Sequence, residues 1–222
     1  MCPGRPMSDF ISRERFIKIC GVTSLADADL VVDAGADALG MIFAESPRQV
    51  TLDTAQRIAL ATRRSVVRVG VFRGIGDDEV LRVTEQVDLD AVQMHDRLSR
   101  ELMVELRRGG LRVIKALAIG SSDLVGFDDG QVDAVLVDGP IPGSGREHPW
   151  SQLFERTWRR PVIVAGGLSP ENIEATLSTT NAWGCDVDSG VERSPGVKDA
   201  ELVRRFVRAA ERGFNQRKEQ NG

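Results

Sequence analysis

Histidine and cysteine are scarce in this sequence, with two of the first, three of the second, and none of them adjacent. Cys2, Cys20 and Cys185 are too few and too scattered for a disulfide framework or a cysteine-built zinc site. His95 and His148 leave a metal centre few nitrogen ligands to draw on, so no metal is expected. No apolar run approaches the roughly 18 residues that a helical membrane span needs. The first residues, with Pro3, Pro6 and several charges but no apolar stretch, do not read as a secretory signal. A basic stripe interleaved with aromatics is also missing and the formal charge is −4, so nucleic acid is not an expected partner. These absences make a cytoplasmic, reduced protein the expectation.

The sequence does contain an ordinary globular balance, 41% hydrophobic and 28% charged, which argues against disorder. From residue 15 onward one pattern recurs: a short apolar run, a turn, then an amphipathic stretch. The apolar runs are Arg15–Cys20, Asp37–Phe43, Ser65–Phe72, Ala91–His95, Arg112–Leu117, Ala134–Asp138, Pro161–Ala165 and Gly184–Asp188. Helical segments are predicted near 25–34, 53–62, 77–87, 99–108, 122–127, 151–158, 171–180 and 199–211, the fifth being short. Ser24 ahead of Asp27, Thr51, and Ser169 followed by Pro170 mark helix starts, while Gly35, Gly109-Gly110 and Gly130 fall at helix ends. Arginine pairs such as Arg63-Arg64 and Arg204-Arg205 suit helix ends without invoking a ligand.

Strands alternating with helices mean βαβ units and a parallel sheet. Eight such units without a break in composition predict a single (β/α)8 barrel with parallel strands. A doubly wound sheet is the alternative, but no Gly-x-Gly-x-x-Gly follows the first strand. Residues 1–13 read as a flexible extension, 14–212 as the barrel, and 213–222 as a polar, frayed tail.

In such a barrel the carboxyl ends of the strands surround the mouth where catalysis takes place. Alternation along Phe16-Ile17-Lys18-Ile19-Cys20 puts Phe16, Lys18 and Cys20 on one face. Cys20 thus ends the first strand at the mouth, and Lys18 is a candidate for lowering its pKa. Asp138 ends an otherwise apolar strand, where desolvation should raise its pKa toward that of a general acid. The turns Gly166-Gly167 and Asp188-Ser189-Gly190 end strands seven and eight, where many barrels hold a phosphate. Ser189 and Glu192 are also spaced as a capping box. Asp188 would repel a phosphate dianion unless it points away or caps a helix.

The motifs Lys18-Ile19-Cys20-Gly21-Val22-Thr23, Ser46-Pro47-Arg48, Val69-Gly70-Val71-Phe72, Val92-Gln93-Met94-His95, Ala165-Gly166-Gly167-Leu168 and Asp186-Val187-Asp188-Ser189-Gly190 resemble those of phosphoribosylanthranilate isomerase. They run in order over most of the chain. The resemblance implies a (β/α)8 barrel of tryptophan biosynthesis that needs no cofactor. Its small-molecule phosphosugar–anthranilate substrate would be isomerised by an Amadori rearrangement. It assigns Cys20 as general base, Asp138 as general acid, Arg48 to the anthranilate carboxylate and Asp186 to the sugar, with Gly166, Gly167, Ser189 and Gly190 in the phosphate site. The chain departs from the pattern at Asp96, Asp188 and the sixth loop, where Arg146 to Trp150 replace a commoner motif. Two alternatives stay open: the related histidine-pathway isomerase, which typically carries an aspartate where Cys20 stands, and a silent phosphate-binding barrel. Oligomeric state and protein partners are not legible.

Overall fold

The computed structural model describes residues 7–124, 127, 129–139 and 157–221. Eight strands, β1 (Phe16–Ile19), β2 (Ala38–Ile42), β3 (Val67–Phe72), β4 (Ala91–Met94), β5 (Arg112–Ala118), β6 (Ala134–Asp138), β7 (Val162–Ala165) and β8 (Gly184–Val187), pair parallel in chain order. β8 returns to pair with β1, so the sheet closes into the predicted barrel. A short antiparallel ribbon, β9 (Glu192–Ser194) with β10 (Val197–Lys198), follows β8.

The connecting helices are α1 (Leu25–Asp33), α2 (Leu52–Ala61), α3 (Asp77–Gln86), α4 (Arg100–Arg108), α5 (Ile173–Ser178) and α6 (Ala200–Asn221). The hydroxyls of Ser24, Thr51 and Ser99 each accept the amide of the residue three further on, satisfying donors that the first turn leaves open. Of the segment expected as a helix near 122–127, the described residues 122–124 form a turn, and a 3-10 turn follows at Asp129–Gln131. The helix expected near 151–158 and the loop from 140 to 150 lie almost wholly outside the described residues.

Alternation along the strands divides the core in two. Phe16, Cys20, Ala38, Val67, Val69, Val71, Ala91, Ile114, Ala134, Leu136 and Ile163 fill the barrel interior. Ile17, Ile19, Leu39, Val92, Val135, Val137, Val164 and Cys185 face outward into the helix layer. The outward residues explain why every strand reads as nearly continuous apolar sequence.

One device recurs at the amino-terminal ends of the strands. Asp37, Asp90 and Asp133 each stand one residue before an even-numbered strand. Each accepts the amide of the second residue of the preceding strand, Ile17, Arg68 and Val113 respectively, at 2.9 Å. Each also meets an arginine: Arg13 at 2.8 Å, Arg68 at 2.8 Å and Arg112 at 3.1 Å. These clamps fix the relative shift of β1/β2, β3/β4 and β5/β6, on the face opposite the mouth.

The described residues nearest the two chain ends, 7–12 and 213–221, are helical where the sequence suggested a flexible extension and a frayed tail. Met7–Ser12 form a 3-10 helix whose Phe10 is 1% exposed, stacked on Phe16 at 4.9 Å and beside Trp183 at 6.3 Å. Trp183 Nε1 donates to the Arg13 carbonyl at 2.8 Å. The extension closes the barrel floor because Phe16 would otherwise meet water. At the other end α6 continues through Asn221, across the tail expected to fray from residue 213. Phe214 is buried, and Arg217 lies over its ring while donating to the carbonyls of Thr180 and Ala182. Among the described residues, no helix is long and apolar enough to cross a membrane.

Phe10→Ala should lower unfolding stability by about 3–5 kcal/mol, the usual cost of removing a buried aromatic ring. Thermal or urea unfolding measures it, and an unchanged midpoint would mean that the floor contributes nothing to stability.

Candidate active site

The carboxyl ends of the strands enclose a cavity of about 290 Å³. Cys20, Asp138, Asp186, Gly166, Gly167, Ser189 and Gly190 all line it. Seven of the eight residues singled out from sequence therefore meet in one place. The eighth, Arg48, does not line it.

The floor is an ion pair within the barrel. Lys18 Nζ donates to Asp186 Oδ2 at 2.8 Å, and the lysine side chain is 0% exposed. Burial works against the Lys18 ammonium, but Asp186 and the neighbouring Cys20 outweigh it and its pKa rises. Burial pushes Asp186 up to about 6, with Lys18 opposing, so the pair is ionised at neutral pH. Cys20 sits above them. Burial pushes its thiol up to about 12; Lys18 opposes this, while Asp186 and Asp188 add to it. Lys18 thus acts in the direction expected from the sequence, but desolvation wins.

Asp138 faces the cavity from β6. Burial raises its pKa above the ordinary carboxylate value, against the opposing charges of Arg73 and Lys18. Gly166 lets β7 turn beside it: its φ is +88°, and a Cβ there would stand 2.5 Å from Asp138 Oδ1. The two turns that carry the other glycines pack together just as closely, since a Cβ on Gly190 would come within 1.9 Å of the Leu168 carbonyl oxygen. The capping box read at Ser189 and Glu192 does not form. Asp188 occupies the cap position of the short 3-10 turn Ser189–Val191 without a side-chain bond to it, and Glu192 is engaged elsewhere.

That engagement involves Arg48. Its guanidinium makes a forked contact with Glu192, Nε to Oε1 at 2.9 Å and Nη2 to Oε2 at 2.7 Å, and its Nε lies 3.1 Å from Asp188 Oδ1. Lys198 Nζ completes the cluster, 2.8 Å from Asp188 Oδ1 and 3.0 Å from Glu192 Oε1. The carboxylate of Asp188 is therefore accommodated on two cations, which answers the repulsion expected from the sequence.

Sequence reasoning missed Gln93, Arg73 and Lys198, and read His95 only as a strand end. Gln93 Nε2 is 3.1 Å from His95 Nε2. An amide nitrogen only donates, so that ring nitrogen accepts and the imidazole proton sits on Nδ1. Burial, then Lys18, Arg73 and Lys115, hold His95 down at about 4, so it is neutral. Gln93 Oε1 and Asp186 Oδ1 are buried acceptors with no hydrogen-bond partner among the described residues. Buried acceptors of this kind are rare and favour a ligand donor. Gln93 was findable, because alternation places it inward on β4.

Residues 17–209 match the family described as N-(5'-phosphoribosyl)anthranilate (PRA) isomerase. The chain belongs to the PRA isomerase family. A relative of that name from Rubrobacter xylanophilus is 40% identical over 203 residues, covering 87% of this chain and 98% of its own. Among solved structures, TrpF from Jonesia denitrificans superposes with a TM-score of 0.80 at 30% identity, covering 91% of this chain and all of its own. A phosphoribosyl anthranilate isomerase in complex with reduced 1-(o-carboxyphenylamino)-1-deoxyribulose 5-phosphate superposes with a TM-score of 0.74 at 31% identity, covering 89% and 98%.

Burial raises the Glu192 pKa, but the bonds from Arg48 and Lys198 win and hold it down at about 2. A depressed carboxylate stabilises the fold above its unfolded pKa and loses that contribution as pH falls toward the folded value. Wild type should therefore be more stable than Glu192→Gln above about pH 5, and the difference should vanish near pH 2. Urea unfolding across that range tests it; a gap independent of pH would mean that the ion pairs do not stabilise the ribbon.

Proposed function

We propose that this chain, a PRA isomerase of tryptophan biosynthesis, works by acid–base catalysis with Asp138 as acid and Cys20 as base. It converts N-(5-phosphoribosyl)anthranilate to 1-(2-carboxyphenylamino)-1-deoxyribulose 5-phosphate, an isomerisation that the chemistry completes without a cofactor. The observation that carries the reading is the facing of a thiol and a raised-pKa carboxyl across one cavity walled by two glycine-rich turns.

The phosphate rests on the turns at Gly166-Gly167 and Ser189-Gly190, which puts the ribose between Asp138 and Cys20. Neutral Asp138 gives its proton to the ring oxygen, and the C1–O bond breaks to leave an iminium. That cation acidifies the C2 proton, which Cys20 thiolate removes to form an enolamine. Tautomerisation then yields the ketone. Asp186 Oδ1 and Gln93 Oε1 accept hydrogen bonds from the sugar hydroxyls, filling the capacity they lack otherwise. Arg48, which the family resemblance assigns to the anthranilate carboxylate, takes that role only by giving up its contact with Asp188.

The protonation states needed are the reverse of those at rest. With Cys20 at about 12 and Asp138 well below it, the competent form, thiolate with neutral acid, is a minor tautomer of the singly protonated pair. It appears when the fully protonated pair loses one proton. Accordingly, kcat/KM should rise as pH passes through the raised Asp138 pKa, then stay level across neutral and mildly alkaline pH. A rate that falls through neutrality would mean Asp138 must hold its proton independently of Cys20.

Freshly made substrate should lose its fluorescence with the wild-type protein. Cys20→Ala and Asp138→Asn should each cost roughly 10² to 10⁴ in rate. A variant with wild-type rate would sink the role of the residue it removes.

A further inference from the structure

Asp188 and Glu192 both engage Arg48, and they hold it in different ways. The Glu192 side chain is 4% exposed and grips the guanidinium with both oxygens. The Asp188 side chain is 31% exposed, lines the cavity and reaches only Nε, from 3.1 Å. Arg48 itself does not line the cavity, so its partner on the cavity side is Asp188. Gly21 makes room for this contact: a Cβ there would stand 2.5 Å from Asp188 Oδ1 and 2.9 Å from Arg48 Cδ. Asp188 also has a second cation. Lys198 Nζ, on a fully buried side chain, lies 2.8 Å from the same Oδ1 and 3.2 Å from the Asp188 carbonyl oxygen. Releasing Arg48 therefore strands no carboxylate, because Lys198 keeps Asp188 paired.

We infer that Asp188 is an internal stand-in for the ring carboxylate of the substrate, occupying Arg48 in the empty site and yielding it when that carboxylate arrives. The inference deepens the isomerase reading and rests on it, since there Arg48 receives the anthranilate. Glu192 holds the guanidinium in place throughout the exchange. Its fork uses Nε and Nη2, which leaves both Nη1 protons for an incoming oxygen. One carboxylate replaces another on Arg48, but the newcomer binds beside an anion that is already there. Like charges brought together at a binding surface are unfavourable. Asp188 therefore weakens the binding of a carboxylate-bearing ligand and leaves a ligand with an uncharged ring unaffected.

The test uses two unreactive probes, the borohydride-reduced forms of 1-(2-carboxyphenylamino)-1-deoxyribulose 5-phosphate and of its aniline counterpart, titrated by calorimetry. Asp188→Asn should tighten the carboxylate-bearing probe about threefold to fivefold, the upper range for a partly exposed ion pair, and leave the aniline probe unchanged. Asp188→Ser should behave alike. In an Arg48→Gln background the gain from Asp188→Asn should vanish. Thermal unfolding checks that each variant is folded. Unchanged or weaker binding of the carboxylate-bearing probe in both Asp188 variants overturns the inference. So does a gain that survives Arg48→Gln, or an equal gain for both probes, which would mean that Asp188 acts on the phosphate instead. Wild type that binds neither probe and leaves the substrate unchanged overturns the isomerase reading along with it.

Discussion

The interaction on which the site depends is the ion pair between Lys18 and Asp186. The two residues stand directly opposite each other in the β1/β8 register, at the seam where the barrel closes. Taking both charges out of water costs several kcal/mol per ion, repaid only when geometry and neighbouring hydrogen bonds are good. As a contribution to stability the pair is a poor choice compared with two apolar residues. Its value lies in what it does to neighbours: it places a fixed ammonium beneath the Cys20 thiol and leaves one buried oxygen of Asp186 without a hydrogen-bond partner among the described residues. The chain closes its barrel with the same residues that set the electrostatics of its chemistry.

The two ends of the barrel divide the work. At the floor, three aspartates lock pairs of strands together, and Phe10, Phe16 and Trp183 stack to exclude water. These contacts recur around the amino-terminal end of the barrel, as suits a stability face. At the mouth the polar groups are fewer and less satisfied. Gln93 Oε1 and Asp186 Oδ1 lack partners, Asp138 is held away from its ordinary pKa, and Arg73 is unengaged among the described residues. Strain of this kind is tolerated only where the rest of the structure over-determines the fold.

The Asp188 cluster shows how one side chain changes the role of another at a distance along the chain. An arginine beside a lone glutamate and a lysine would keep a net positive charge. With Asp188 present, the four charges cancel, and Arg48 becomes part of the scaffold holding the turn after β8 to the loop after β2. A motif match identifies the residue type at position 48, but its availability depends on the charges around it.

How much was legible follows from the physics of each signal. The eight strands, most helices and the barrel class were readable from local sequence, because burial of each strand on both faces leaves a continuous apolar run and each cap is a contact within three residues. The gathering of Cys20, Asp138, Asp186 and the glycine turns at one mouth followed from alternation plus closure. The floor clamps left only a faint trace, an Asp-Ala pair opening β2, β4 and β6, because their partners lie about 20 residues away. The helical structure of residues 7–12 and 213–221 was hidden, since Phe10 and Phe214 look isolated until the surfaces they cover exist. What the sequence determined by itself was periodicity, turn chemistry and the residue types at the strand ends. Only the tertiary structure decided which charges face each other. It therefore decided that burial outweighs Lys18 at Cys20, that Asp188 is paired, and that Arg48 is engaged, because electrostatic energies depend on distance and burial that no spacing in the chain encodes.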